Sequence, residues 1–167
     1  MIKSETSKYR YNLGKFCIGN GIDCGHGGDK VDHASIGIDN LKSVRVIPQD
    51  YTNLIGEAEN LYWFNNNVLD YVYSSHLLED FENTVDILRE WLRVIKIDGH
   101  IVLLLPDQQR YEKIGTNLNT DHKIKDMSLK YMKDIFANNF TNMELVYSFD
   151  DLNEYNFAVV YKKIRSV

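Results

Sequence analysis

Three glycines within four positions, Gly25, Gly27 and Gly28, stand between two short strand-like runs, and no other feature of the chain limits its fold so tightly. Residues 20–24 run into this loop, and Ser35-Ile36-Gly37-Ile38 leads out of it to Asp39. A backbone without Cβ atoms turns tightly and brings its N–H groups close to a ligand. The pattern therefore predicts strand, glycine loop, strand, with a carboxylate at the tip of the second strand. In open α/β sheets that is where nucleotide-type ligands keep their ribose hydroxyls. The stretch from Gly19 to Asn40 is accordingly a candidate cofactor pocket.

The remaining signals fit an α/β sheet. Residues 5–16 read as a short helix or arm over one sheet edge. Ser43–Ile47 reads as a third strand, closed by Pro48 and followed by Asp50-Tyr51, and residues 52–62 as loop or weak helix. Val68–Tyr73 is a mostly apolar fourth strand, the pattern of a strand covered on both faces. From Asn83 to Ile97, Val85, Leu88, Leu92 and Ile95 recur at helical spacing, with Ile87, Trp91 and Val94 widening the stripe and Gly99 as the stop. His100–Leu105 is a buried strand. Residues 108–126 are polar and carry no period. Ser128 is a plausible N-cap for a helix to Asn138, and Glu144–Phe149 and Asn156–Lys162 form a hairpin. Strands alternating with helices imply a parallel sheet, here with an antiparallel edge.

With 167 residues the chain is long enough for one well-buried domain, residues 1–167, with 1–16 as its arm. Its 19 basic and 24 acidic residues leave a net charge of -5, which argues against nucleic-acid binding, since that needs a basic face. No apolar run approaches about 18 residues, and the opening MIKSETSKYRYN lacks the apolar core of a secretory leader. The expectation is a cytoplasmic protein with no membrane partner. Cys17, Cys24, His26 and His33 would have to converge to bind zinc, and their spacing matches no C-x₂-C framework, so no metal site is read.

The segment Gly21-Ile22-Asp23-Cys24-Gly25-His26-Gly27-Gly28-Asp29-Lys30 resembles the G-x-D-x-G-x-G-G-x-K of one branch of the class I S-adenosylmethionine (SAM) dependent methyltransferases, the type 11-like branch. Ser74-Ser75-His76-Leu77-Leu78-Glu79-Asp80 is similar to that branch's S-S-H-x-L-E-H. The resemblance implies a doubly wound, Rossmann-like, mostly parallel seven-stranded sheet with an antiparallel C-terminal hairpin. It also implies that Asp23, Gly25 and Gly27 hold the amino-acid end of SAM, with His26 in the position of a smaller residue, crowding that end or adding a hydrogen bond to it. Asp39 would take the ribose hydroxyls, Asp50 and the Tyr51 backbone would border adenine, and Ser74, Ser75 and His76 would floor the pocket near the methyl group. Asp80 departs from the branch, which has a His there.

Methyl transfer from a sulfonium is an in-line displacement, so the protein acts mainly by aligning the reactants and excluding water. Where the acceptor is a hydroxyl, a base within hydrogen-bond reach helps, and His76 and His122 are the candidates. His76 and Glu79 equally suit the capped or solvated start of a helix, and His122 suits a solvated loop. The short chain leaves little room for a cap domain, so a small-molecule acceptor is expected by default, and the resemblance implies a glycan-related one. The alternative is a SAM-binding or scaffold module without turnover. A nicotinamide oxidoreductase is disfavoured, because Lys30 stands where G-x-G-x-x-G needs its third glycine.

Overall fold

A computed structural model describes residues 4–41, 52–111 and 122–165. Seven strands form one sheet among these residues: β1 (Gly21–Cys24), β2 (Ile36–Asp39), β3 (Leu54–Ile55), β4 (Leu69–Ser75), β5 (Ile95–Pro106), β6 (Met143–Asp150) and β7 (Asn156–Lys163). Their order is β3-β2-β1-β4-β5-β7-β6. The first five are parallel, and β7 lies antiparallel between β5 and β6. The chain walks outward from β1 to β3, then crosses back to β4. This reversal opens a crevice at the C-terminal ends of β1, β2 and β4.

Alternating residues divide the core between the two faces. On one face Ile22, Cys24, Val72, Ile101 and Leu103 pack with α2 (Thr84–Val94) and α3 (Leu129–Asn139). Leu88, Trp91 and Leu92 are buried there as the period predicts, and Ser128 caps α3 by accepting from the Tyr131 N–H at 3.1 Å. On the other face Tyr71, Tyr73, Val102, Leu104, Ala158 and Val160 are covered by Tyr9 and Leu13 of α1 (Glu5–Leu13). The N-terminal arm thus lies over a sheet face, not an edge. It is needed there because the connection from β1 to β2 contains no helix. Cys17 belongs to this second cluster and Cys24 to the first, and both are free thiols, so the four zinc candidates do not converge.

Three boundaries differ from the sequence expectation. The helix ends at Val94 rather than near Ile97, because its last carbonyls are satisfied by other parts of the chain and not by a glycine cap. Lys163 Nζ donates to Leu92 O and Ile95 O, both at 2.8 Å, and the Asn67 and Val68 N–H groups donate to Arg93 O and Val94 O. Gly99 sits inside β5, where a Cβ would come 2.7 Å from Asp70 O. Within 52–62 the chain forms β3, which pairs with β2 at the sheet edge, in place of loop or weak helix. The expected strand at 43–47 falls outside the described residues.

Candidate functional site

The crevice holds a cleft of about 550 Å³, a size typical of small-molecule and cofactor sites. Its walls come from the glycine loop, the tip of β2, the turn after β3, the end of β4 and the start of α1.

The loop between β1 and β2 is held by side chains rather than by a helix. Gly25, Gly27 and Gly28 take φ of 67°, 49° and 85°, values in the left-handed region where a Cβ is strained. Asp23 is fully buried, and its Oδ2 accepts from the Val31 N–H at 2.7 Å. Lys30 Nζ donates to His33 O, Ser35 O and Asn53 Oδ1 at 2.8–3.1 Å. Arg10 and Ser4 of the N-terminal segment both pair with Asp29, which ties α1 to the loop.

His26 is the loop's pillar. Its Nδ1 accepts from the Gly28 N–H at 2.9 Å, which fixes the other ring nitrogen as a donor toward Thr52 Oγ1 at 3.0 Å. Gly37 leaves the room for this, since a Cβ there would lie 2.9 Å from the ring. Burial pushes the His26 pKa down, so the ring is neutral.

Asp39 stands at the tip of β2 facing the loop. Its Oδ2 accepts from the Gly27 N–H at 3.2 Å and its Oδ1 from the Leu41 N–H at 2.8 Å. Both contacts are single hydrogen bonds, so each oxygen keeps a lone pair for another donor. Ser75 and His76 line the cleft at the end of β4. Ser74 does not line it. Its hydroxyl is buried and donates to Cys24 O at 3.1 Å, stapling β4 to β1. Asp23 lies beneath the cleft on the α1 side of the sheet. Asp50 and Tyr51 fall outside the described residues.

The two candidate bases meet around Glu79, His76 in the lining of the cleft and His122 outside it. His76 has φ of 52°, rare for a residue with a Cβ and a mark of functional sites. Its Nε2 meets Asn156 Oδ1 at 2.7 Å, while the Asn156 amide nitrogen donates to Glu5 at 2.8 Å. Asn156 therefore accepts from Nε2–H, and Nδ1 keeps its lone pair. Burial pushes the His76 pKa down to about 4. Nδ1 points at Glu79 Oε1, 3.8 Å away. His122 approaches the same Oε1 through Nε2, also at 3.8 Å. It is not a solvated loop residue: its ring stacks on Tyr111 and its Nδ1 lies 2.9 Å from the Gln108 amide. Glu79 is fully buried in a short 3₁₀ turn, Leu78–Asp80, and does not serve as an exposed helix start.

Sequence reading missed the contribution of Ser4, Glu5 and Thr6, which line the cleft from α1. Their only signal was Ser4 as an N-cap, which says where a helix starts and not what it faces. Asn40 and Glu57, joined at 2.9 Å, also border the cleft and were not singled out.

Comparison with known proteins bears on this arrangement. A SAM-dependent methyltransferase from Archaeoglobus fulgidus is similar in structure with a TM-score of 0.72 and 17% identity, covering 95% of this chain and 92% of that one. A SAM-dependent methyltransferase from Thermotoga maritima gives 0.69 at 14% identity, with coverage of 95% and 89%. The [4+2]-cyclase SpnF gives 0.71 at 13% identity, with coverage of 95% and 81%, so the fold also serves other chemistry. No curated protein matches. The model of the methyltransferase domain family matches residues 19–103, from the glycine loop through the parallel strands that carry the cleft, and the chain belongs to that family of SAM-dependent methyltransferases.

Proposed function

We propose that the cleft binds SAM and passes its methyl group to a small-molecule acceptor, glycan-related as the sequence resemblance suggests. The observation that carries this reading is Asp39, a carboxylate at the tip of β2 that faces the glycine loop across the topological switch point. Two ribose hydroxyls would donate to its oxygens. Gly25 and Gly27 would meet the amino-acid end of SAM, with the start of α1 closing that side. Asp23 would act on the same end from below, by holding the loop. Ser75 and His76 would floor the methyl side, where the bare Nδ1 of His76 is the group available to take a hydroxyl proton; His122, whose Nδ1 accepts from the Gln108 amide, holds its proton on Nε2 and stands behind the cleft lining. With its pKa near 4, His76 is in the proton-accepting form at neutral pH.

Calorimetric titration with SAM and its demethylated product, S-adenosylhomocysteine, tests the pocket. Hydrogen bonds to a charged group contribute about 1.5–3 kcal/mol, so Asp39→Ala should weaken both ligands about 10- to 150-fold. A folded wild type that binds neither compound would sink the proposal. Binding without turnover on any hydroxylated sugar or nucleotide sugar would favour the module without catalysis.

A further inference from the structure

We infer that Glu79, Asp80 and His122 form a divalent-cation site against the wall of the cleft that Asp80 lines, suited to a first-row metal such as Zn²⁺ or Mn²⁺. One donor atom from each lies within 4.8 Å of the others. His122 Nε2 is 3.8 Å from Glu79 Oε1 and 4.0 Å from Asp80 Oδ1. Ligands bound at about 2.0–2.2 Å in a tetrahedral site stand roughly 3.4 Å apart, so the two His122 pairs must close by about 0.4–0.6 Å and the widest pair by up to about 1.4 Å. His76 Nδ1 is 3.8 Å from the same Glu79 oxygen but stands outside the three-donor cluster, which leaves the remaining coordination positions to water or ligand.

Glu79 supplies the independent observation. Its side chain is fully buried, and neither carboxylate oxygen has a hydrogen-bond partner among the described residues. A buried carboxyl with both oxygens unpartnered is costly and is an exception among native polar groups. A cation is the partner that an imidazole nitrogen and two carboxylates jointly select. This mixed N/O set favours Zn²⁺, Mn²⁺ or Co²⁺ over Ca²⁺ and over thiolate-seeking ions. The backbone brings the donors together, because Glu79 O accepts from the Lys123 and Ile124 N–H groups at 2.8 and 3.1 Å and so draws His122 over the Glu79 side chain. In the ion-free chain the Gln108 amide nitrogen donates to His122 Nδ1 at 2.9 Å, so ion binding at Nε2 requires the ring proton to move to Nδ1 and the Gln108 side chain to turn its amide oxygen toward it as acceptor. Asp80 and His76 also line the cleft, so the open side of the ion faces the space assigned to the acceptor. That last placement rests on the methyl-transfer reading, whereas the cation site does not.

The test is equilibrium dialysis of chelator-stripped protein against Zn²⁺ and Mn²⁺, with Co²⁺ visible absorption as a reporter of ligand type. Expected is one ion per chain for the wild type, with affinity at least tenfold weaker in Glu79→Gln and His122→Ala. Calorimetry with S-adenosylhomocysteine runs in parallel on the same samples, and retained binding shows that the variants are folded. Absence of a stoichiometric ion from a wild type that binds S-adenosylhomocysteine overturns the site, as does equal ion affinity in both variants. Ion binding without S-adenosylhomocysteine binding supports the site and removes the methyl-transfer reading.

Discussion

Replacing Gly37 by alanine, alone and together with His26→Ala, isolates the contact that holds the glycine loop in place. The added Cβ would lie 2.9 Å from His26 Cδ2 and 3.0 Å from both His26 Nε2 and Lys30 Cδ. Overpacking of this kind costs about 1–3 kcal/mol, while removing a glycine from a strand returns roughly 0.5–1 kcal/mol. Gly37→Ala should therefore destabilise by about 1–2 kcal/mol. His26→Ala leaves a cavity and strands the Gly28 N–H and Thr52 hydroxyl, for about 2–3 kcal/mol. In the double variant the new methyl group occupies part of the space left by the ring, so the total should fall short of the sum by about 1 kcal/mol or more. Urea unfolding of the four proteins gives the coupling directly, and calorimetry with S-adenosylhomocysteine shows whether the loop's ligand site follows. Additivity within about 0.5 kcal/mol would refute the idea that His26 and Gly37 fit one another.

Two further predictions concern the groups beneath the cleft. Burial pushes the Asp23 pKa up to about 8, so the folded chain keeps a proton that the unfolded chain, titrating near 3.9, has released. Wild-type stability should fall as pH rises across that interval, by up to about 1.4 kcal/mol per pH unit, and Asp23→Asn should flatten the slope. His76, pushed down to about 4, acts in the opposite sense below pH 6.5 or so. Urea midpoints between about pH 6.5 and 8 therefore separate the two, and an unchanged slope in the variant would contradict the assignment. Leu13→Ala, at a fully buried position on α1, should cost about 2–5 kcal/mol in thermal unfolding. It should also weaken S-adenosylhomocysteine, because α1 carries Ser4–Thr6 into the cleft. Loss of stability with intact ligand affinity would detach the helix from the site.

The parts of this architecture that were readable in the sequence are those set by local chemistry. Left-handed glycines mark the loop, apolar runs mark β1, β2 and β4, and a 3.6-residue period marks α2. Missed features depend on partners distant in the chain. The end of α2 is set by Lys163 and by the chain at Asn67-Val68, which no window around Ile95 contains. The burial of α1 over a face follows from the missing crossover helix, a property of another segment. Glu79 reads as a solvated acid at a helix start because nothing nearby in sequence reveals that residues 122–124 close over it. His26 and Ser74 illustrate the converse: their positions in the motif are legible, but their side chains turn into the loop and the sheet.

The placement of α1 has a consequence for how the chain is assembled. Tyr9 bonds Asp151, Glu5 bonds Tyr155 and Asn156, and Lys8 reaches Glu154, across separations of 142–151 residues. The α1-covered face also includes Ala158 and Val160 of β7. On a ribosome, α1 emerges well before β7, so it waits without its docking surface while the intervening strands pair. Such non-local closure is slow, and it leaves apolar surface exposed in the interim. Nascent chains lacking β7 should therefore be unable to form the cleft, whose α1 wall is synthesised early and seated late.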